Sequence, residues 1–138
     1  MKRFLILAIS LFANVCILHS QENFFPKHDG EKKSYSITVK YKAMELQGIL
    51  VVKQVEQSLR CTLVNQFGIK AFDFEYNIDK KRGKVSNAIS FLDKWYIRRT
   101  IKRDLKKIFK NMDSLPVRDS AVDLSNLRLT IDYTIKPL

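Results

Sequence analysis

Between Ser90 and Met112 apolar and cationic residues recur with the period of an α-helix. Ile97, Ile101, Leu105, Ile108 and Met112 are interleaved with Arg98, Arg99, Lys102, Arg103, Lys106, Lys107 and Lys110. At about 100° per residue the five apolar side chains fall within one narrow arc, and the seven cations spread over the opposite side. Such a helix needs an apolar partner along its length, so the rest of the chain must supply an apolar face, and the helix holds a cationic ridge outward. From Lys80 to Lys110 twelve Lys or Arg stand against Asp93 and Asp104, a local balance of +10 within a formal total of +11. Nearly all the net basicity therefore belongs to one segment. Ser90 and Asp93 have the spacing of a capping box at the helix start, and Asn111 marks its end.

The partner face is written upstream as period-two alternation. Tyr35, Ile37, Val39, Tyr41 and Ala43 share one face, with Ser36, Thr38, Lys40 and Lys42 opposite, the pattern of a strand packed on one side only. A second strand runs from about Glu45 to Val55, with Gly48 as a candidate bulge, and a third from Leu59 to Asn65. Gln66, Phe67 and Gly68 make a turn. A fourth strand, Ile69 to Ile78, sets Phe72, Phe74, Tyr76 and Ile78 on one face. Asp79 to Lys84 forms a basic tip, residues 113–125 with Pro116 read as a loop, and Leu127, Leu129, Ile131, Tyr133 and Ile135 alternate along a last strand. Short connectors imply an antiparallel meander. The expected fold is α+β: a curved antiparallel sheet of about five or six strands, an open half-barrel, with one long amphipathic helix packed across it.

The N-terminus sets the compartment. Lys2 and Arg3 precede an apolar run from Phe4 to Leu18 that gives way to His19, Ser20 and Gln21, the pattern of an export signal. The run is short for a membrane span, which needs roughly 20 apolar residues, and Asn14 interrupts it. Residues 1–20 are read as a cleaved signal, residues 21–33 as a flexible polar leader and residues 34–138 as a single domain. The implied location is exported, periplasmic or envelope-associated. A retained anchor and acylation at Cys16 are the alternatives, and for the latter Asn14 and Val15 lack the usual small residues. With Cys16 in the signal, Cys61 is left without a partner for an internal disulfide, and its alternation with Leu59 and Leu63 makes it a small buried hydrophobe.

Counting removes most catalytic constellations. Outside the signal the only histidine is His28, so histidine triads and His-rich metal sites lack parts. Gly30, Gly48, Gly68 and Gly83 stand too far apart for a phosphate loop. Asp73 and Glu75 share a strand face as solvated carboxylates. The reading is a non-enzyme with no catalytic residue, metal or cofactor.

At Leu46-Gln47-Gly48-Ile49-Leu50-Val51-Val52, and again from Leu59 through Phe74 with its Phe67-Gly68 turn, the chain resembles the lipoprotein-localisation (LolA/LolB-like) fold. The resemblance covers roughly Ser34 to Ile78. It implies an unclosed barrel whose concave apolar face receives acyl chains of lipoproteins or other amphiphiles in the envelope. Two departures stand out: the chain without residues 1–20 is short for that family, and one long helix replaces several shorter ones.

These readings converge on a lipid-like or acyl ligand, an anionic membrane surface, or both. Phe72, Phe74, Tyr76, Ile131 and Tyr133 would line the apolar concavity. Arg98, Arg99, Lys102, Arg103, Lys106, Lys107 and Lys110 would face phosphate-rich head groups, at about 1 kcal/mol per cation near an anionic surface. Two alternatives use the same helix: a protein-protein adaptor with an acidic partner, and nucleic-acid binding with Trp95 and Tyr96 as stacking groups. The export signal counts against nucleic acid. On a straight helix Trp95 falls on the cationic side, and a helix bend or late helix start that buries it against the loop or sheet is the competing expectation. Sequence does not set the oligomeric state.

Overall fold

Alternation does build the sheet. The computed structural model describes residues 23–90 and 92–138; the segment read as an export signal, Cys16 included, lies outside the described residues. Six antiparallel strands form the main sheet: β1 (Lys32–Tyr41), β2 (Met44–Val55), β3 (Ser58–Asn65), β4 (Lys70–Asn77), β5 (Arg82–Ser86) and β8 (Asp132–Pro137). Their order across the sheet is β5-β4-β3-β2-β1-β8, with β5 and β8 at its edges, so the sheet does not close. One face is apolar and buried, carrying Tyr35, Ile37, Leu50, Val52, Leu59, Cys61, Leu63, Phe72, Phe74, Tyr76, Val85 and Ile135. The opposite face is lined by residues such as Ser36, Lys53, Arg60, Glu75 and Lys136, and no second layer covers it among the described residues.

Two glycines are required by close approach. A Cβ at Gly48 would lie 2.1 Å from the Val64 carbonyl oxygen, and one at Gly83 would lie 2.7 Å from the Phe74 ring. Gly48 is nevertheless not a bulge, because β2 and β3 stay in register through Gly48 and Asn65. The irregularity falls instead between Leu63 and Val64, where β3 meets β4. The Gln66–Gly68 turn forms as expected, with Gly68 at φ +80° and the Asn65 side chain accepting the Phe67 and Ile69 amides.

Among the described residues the single α-helix, α1, spans Trp95–Lys110, shorter than the 90–112 set by periodicity. The capping box does not form: Lys94 occupies the N-cap with no side-chain cap, while the Asp93 carboxylate turns to Arg98 at 3.2 Å. Ser90 instead takes part in a preceding turn, accepting the Asp93 amide. The C-terminal end is as expected, with Asn111 as C-cap and Lys107 and Lys110 in the last turn, where cations meet unpaired carbonyls favourably. Ile101, Asp104, Leu105, Ile108 and Phe109 form the buried stripe; Ile97 and Met112 are only half-buried at its ends. The strands nearest α1 are β4 and β5.

The connecting segments also differ from the sequence pattern. The basic tip is the turn into a strand, β5, rather than an isolated loop. Inside the 113–125 segment β6 (Val117–Arg118) and β7 (Ala121–Val122) pair as a short hairpin. The last strand starts only at Asp132, because Ser125–Leu127 turn as a 3-10 helix and Arg128 adopts φ +52°, which breaks the extended pattern suggested by Leu127 and Leu129. In the segment read as a leader, Phe25 is buried against Tyr35 and Phe109, at 5.5 and 5.4 Å between ring centroids. The Tyr35 hydroxyl donates to the Phe24 carbonyl, and Gly30 pairs with Gln54.

Candidate ligand cavity and basic helix face

Because α1 leans toward β4 and β5, its first turns stand away from the far rows of the sheet, and an open cavity of about 480 Å³ remains beneath them. The paired residues Val39 and Leu46, with Leu63 and Phe72, supply its floor. Ile97 and Ile101 come from the helix, and Ile131 and Tyr133 from the approach to β8 and that strand itself. Polar groups on its wall are few: Lys42, Glu45, Lys94, Thr100 and the phenols of Tyr41, Tyr96 and Tyr133. Its volume lies within the range of about 300–1,000 Å³ usual for small-molecule sites. Its chemistry suits an apolar chain whose polar end stays at the surface.

Of the five residues expected to line a concavity, Phe72, Ile131 and Tyr133 do so. Phe74 and Tyr76 lie deeper, stacked on Phe109 at 5.9 and 6.1 Å. The helix contributes Ile97 and Ile101 from its apolar arc, and the β1–β2 turn contributes Tyr41, Lys42 and Met44; none of these was assigned to the concavity from sequence. The alternation of β1 placed Val39 and Tyr41 on the apolar face, but only the offset of α1 leaves them uncovered.

The wall is held by Asp104. This carboxylate, fully buried, accepts the amides of Thr130 at 3.2 Å and Ile131 at 3.0 Å and the Tyr133 hydroxyl at 3.4 Å. It pins the chain entering β8 to the middle of α1, and leaving such amides unpaired would cost about 1–3 kcal/mol each. Burial, reinforced by Asp104, raises the Tyr133 phenol well above its ordinary pKa, which keeps it a neutral donor. Asp104 was legible as an oddity: it lies three residues after Ile101 and four before Ile108, at the edge of the apolar arc rather than on the ridge.

The seven cations of the ridge divide in two. Arg98 pairs with Asp93 and donates to the Val85 carbonyl, Arg103 donates to the Thr130 hydroxyl and Lys107 to the Arg128 carbonyl. Among the described residues Arg99, Lys102, Lys106 and Lys110 have no carboxylate in ion-pair range. Trp95 is 74% exposed, so the late helix start does not bury it. With Lys84, Val85, Arg98, Arg99 and Lys102 it borders a shallow second concavity, and its ring meets Tyr96 edge-on at 5.9 Å.

On the outer face of the sheet Asp73 is committed to structure. Burial pushes its pKa up, but hydrogen bonds from Asn87, Thr62 and Lys70 outweigh this and hold it below the ordinary value. The Cys61 thiol is buried and raised by burial. Among the described residues no cluster of three or more His, Cys, Asp or Glu is positioned for a metal, and no helix is long and apolar enough to cross a membrane. No protein-family model, curated protein or solved structure matches this chain.

Proposed function

We propose that this is an exported, non-enzymatic envelope protein that takes the acyl chain of a lipid-like ligand beneath the first turns of α1 and meets anionic head groups with the cations of that helix. The observation that carries the reading is the apolar cavity between Val39, Leu46, Leu63 and Phe72 on one side and Ile97 and Ile101 on the other. Burying each methylene of a chain there would contribute about 0.8 kcal/mol. An unclosed six-stranded sheet with a helix across its apolar face also accords with the open half-barrel of the lipoprotein-localisation (LolA/LolB-like) fold, and an export signal accords with work in the envelope.

Titration of the fluorescence of Trp95, the sole tryptophan, tests this directly. A fatty acid below its micelle concentration should saturate the signal, and anionic vesicles should shift it less as salt is raised. Replacing Arg99, Arg103, Lys106 and Lys110 by Gln should weaken vesicle association without unfolding the protein. A response to single-stranded DNA alone would favour the second reading, which draws on the exposed Trp95 beside Lys84, Arg99 and Lys102.

A further inference from the structure

Large apolar side chains are exposed on the two turns beside the cavity mouth. Tyr41 and Met44 flank the β1–β2 turn, 41% and 54% exposed, and Trp95 and Tyr96 open α1, 74% and 51% exposed. Tyr41, Met44 and Tyr96 also line the cavity, so the exposed patch is continuous with its interior. Lys42 sits over the Tyr41 ring at 5.3 Å, Lys94 precedes Trp95, and both lysines belong to the lining, where Glu45 is the one carboxylate. Among the described residues no packing role accounts for these rings: α1 is already anchored through Ile101, Leu105, Ile108 and Phe109.

From this arrangement we infer that the cavity mouth is a bilayer-docking surface, in which Trp95, Tyr96, Tyr41 and Met44 enter the head-group region of an anionic membrane while Lys42 and Lys94 meet its phosphates. Tryptophan and tyrosine suit that region because each joins an apolar ring to a polar tip, and lysine stems reach from an apolar boundary to charge. The excess of positive charge around the mouth is complementary to an anionic leaflet. A nucleic-acid strand would use the cations and the Trp95 ring but would leave Met44 and Tyr41 without a role. The inference deepens the proposed function by assigning the direction of entry: the mouth opens onto the bilayer, and a chain passes from lipid to cavity without crossing water.

The test uses two probes on the full protein. Vesicles of equal parts phosphatidylcholine and phosphatidylglycerol, carrying bromine at defined acyl depths, report where Trp95 lies; monomeric dodecanoate, measured calorimetrically, reports the cavity. Docking predicts quenching of Trp95 by the shallow bromines. It also predicts that a Tyr41→Ser, Met44→Ser, Tyr96→Ser variant, confirmed as folded by its denaturation midpoint, loses about tenfold or more in vesicle partitioning. Vesicle binding by that variant equal to the unsubstituted protein, Trp95 quenched only from the aqueous side, or no binding to vesicles would overturn it. So would rim-dependent dimerisation, or rim-dependent binding of single-stranded DNA without vesicle binding. Rim-dependent docking without dodecanoate binding would retain the docking surface and remove the acyl cavity, whereas dodecanoate binding without rim-dependent docking would do the reverse.

Discussion

At its C-terminal end α1 buries Phe109 among Phe25, Phe74 and Tyr76, with ring centroids 5.4 to 6.1 Å apart; at its N-terminal end it exposes Trp95 and stands over a cavity of about 480 Å³. Both ends are rich in aromatic residues. At the first, rings arrive from three directions: the sheet, the helix and the segment preceding β1. At the second the sheet offers Val39 and Leu46, too small to fill the space to the helix, and no further element among the described residues covers them. The contrast assigns stability to one end and binding to the other, on a single helix whose middle is pinned by Asp104.

The strongest challenge to that contrast is a pair of truncations. Phe109→Ala should cost about 3–5 kcal/mol in denaturant unfolding, whereas Ile97→Ala, on the cavity wall, should cost about 1 kcal/mol. Equal costs would mean that both ends are packed alike.

Midway along the helix, Leu105→Ala should cost about 2–5 kcal/mol and Lys102→Ala, on the exposed face, no more than about 0.5 kcal/mol. A harmless Leu105→Ala would detach the helix from the sheet. Recovery of its stability on adding a fatty acid would place a ligand beneath α1, since a ligand that binds only the folded state must raise apparent stability.

Overpacking separates the ends more finely. Val52→Phe, in a closed row of the core, should cost about 1–3 kcal/mol, while Val39→Phe should stay within about 1 kcal/mol of the unsubstituted protein because open space accepts the ring. Val39→Phe should also weaken dodecanoate binding. If both variants destabilise equally, the cavity is not open space in solution.

The smallest effect lies outside both ends and serves as a baseline. The Asp73 carboxyl is lowered in the folded state, so its contribution is present above the unfolded value of about 3.9 and is lost as pH falls through the folded value. Asp73→Asn should therefore lower stability near neutral pH and flatten its decline below about pH 4. An unchanged acid limb would show that Asn87, Thr62 and Lys70 do not hold this carboxylate in solution.

Much of this was legible in the chain. The alternation from Tyr35 and the rings of Phe72, Phe74 and Tyr76 identified the apolar face, and the turn at Phe67-Gly68 was marked by its residues. Errors gathered where local patterns compete with longer contacts. Ser90 and Asp93 had capping spacing, but Arg98 takes the Asp93 carboxylate. Leu127 and Leu129 alternated like a strand, but Arg128 turns the backbone. The residues around Phe25 looked polar by composition, yet two phenylalanines among them were enough to join the core.

What the sequence determined by itself is which side of each element is apolar and where charge accumulates, because periods of two and 3.6 residues fix side-chain direction within a few neighbours. The segregation of the seven cations from Arg98 to Lys110 onto one side of the helix, and the one-sided sheet, follow from that alone. Tertiary structure decided which sheet rows the helix covers. No local period encodes a displacement between two elements distant in the chain: that is set by how Phe109 fits between Phe25 and Phe74, how Gly83 leaves room for the Phe74 ring, and where Asp104 finds the Thr130 and Ile131 amides. Those contacts draw the helix toward β4 and β5, and they leave Val39, Leu46 and Tyr133 as the walls of a cavity instead of parts of a filled core.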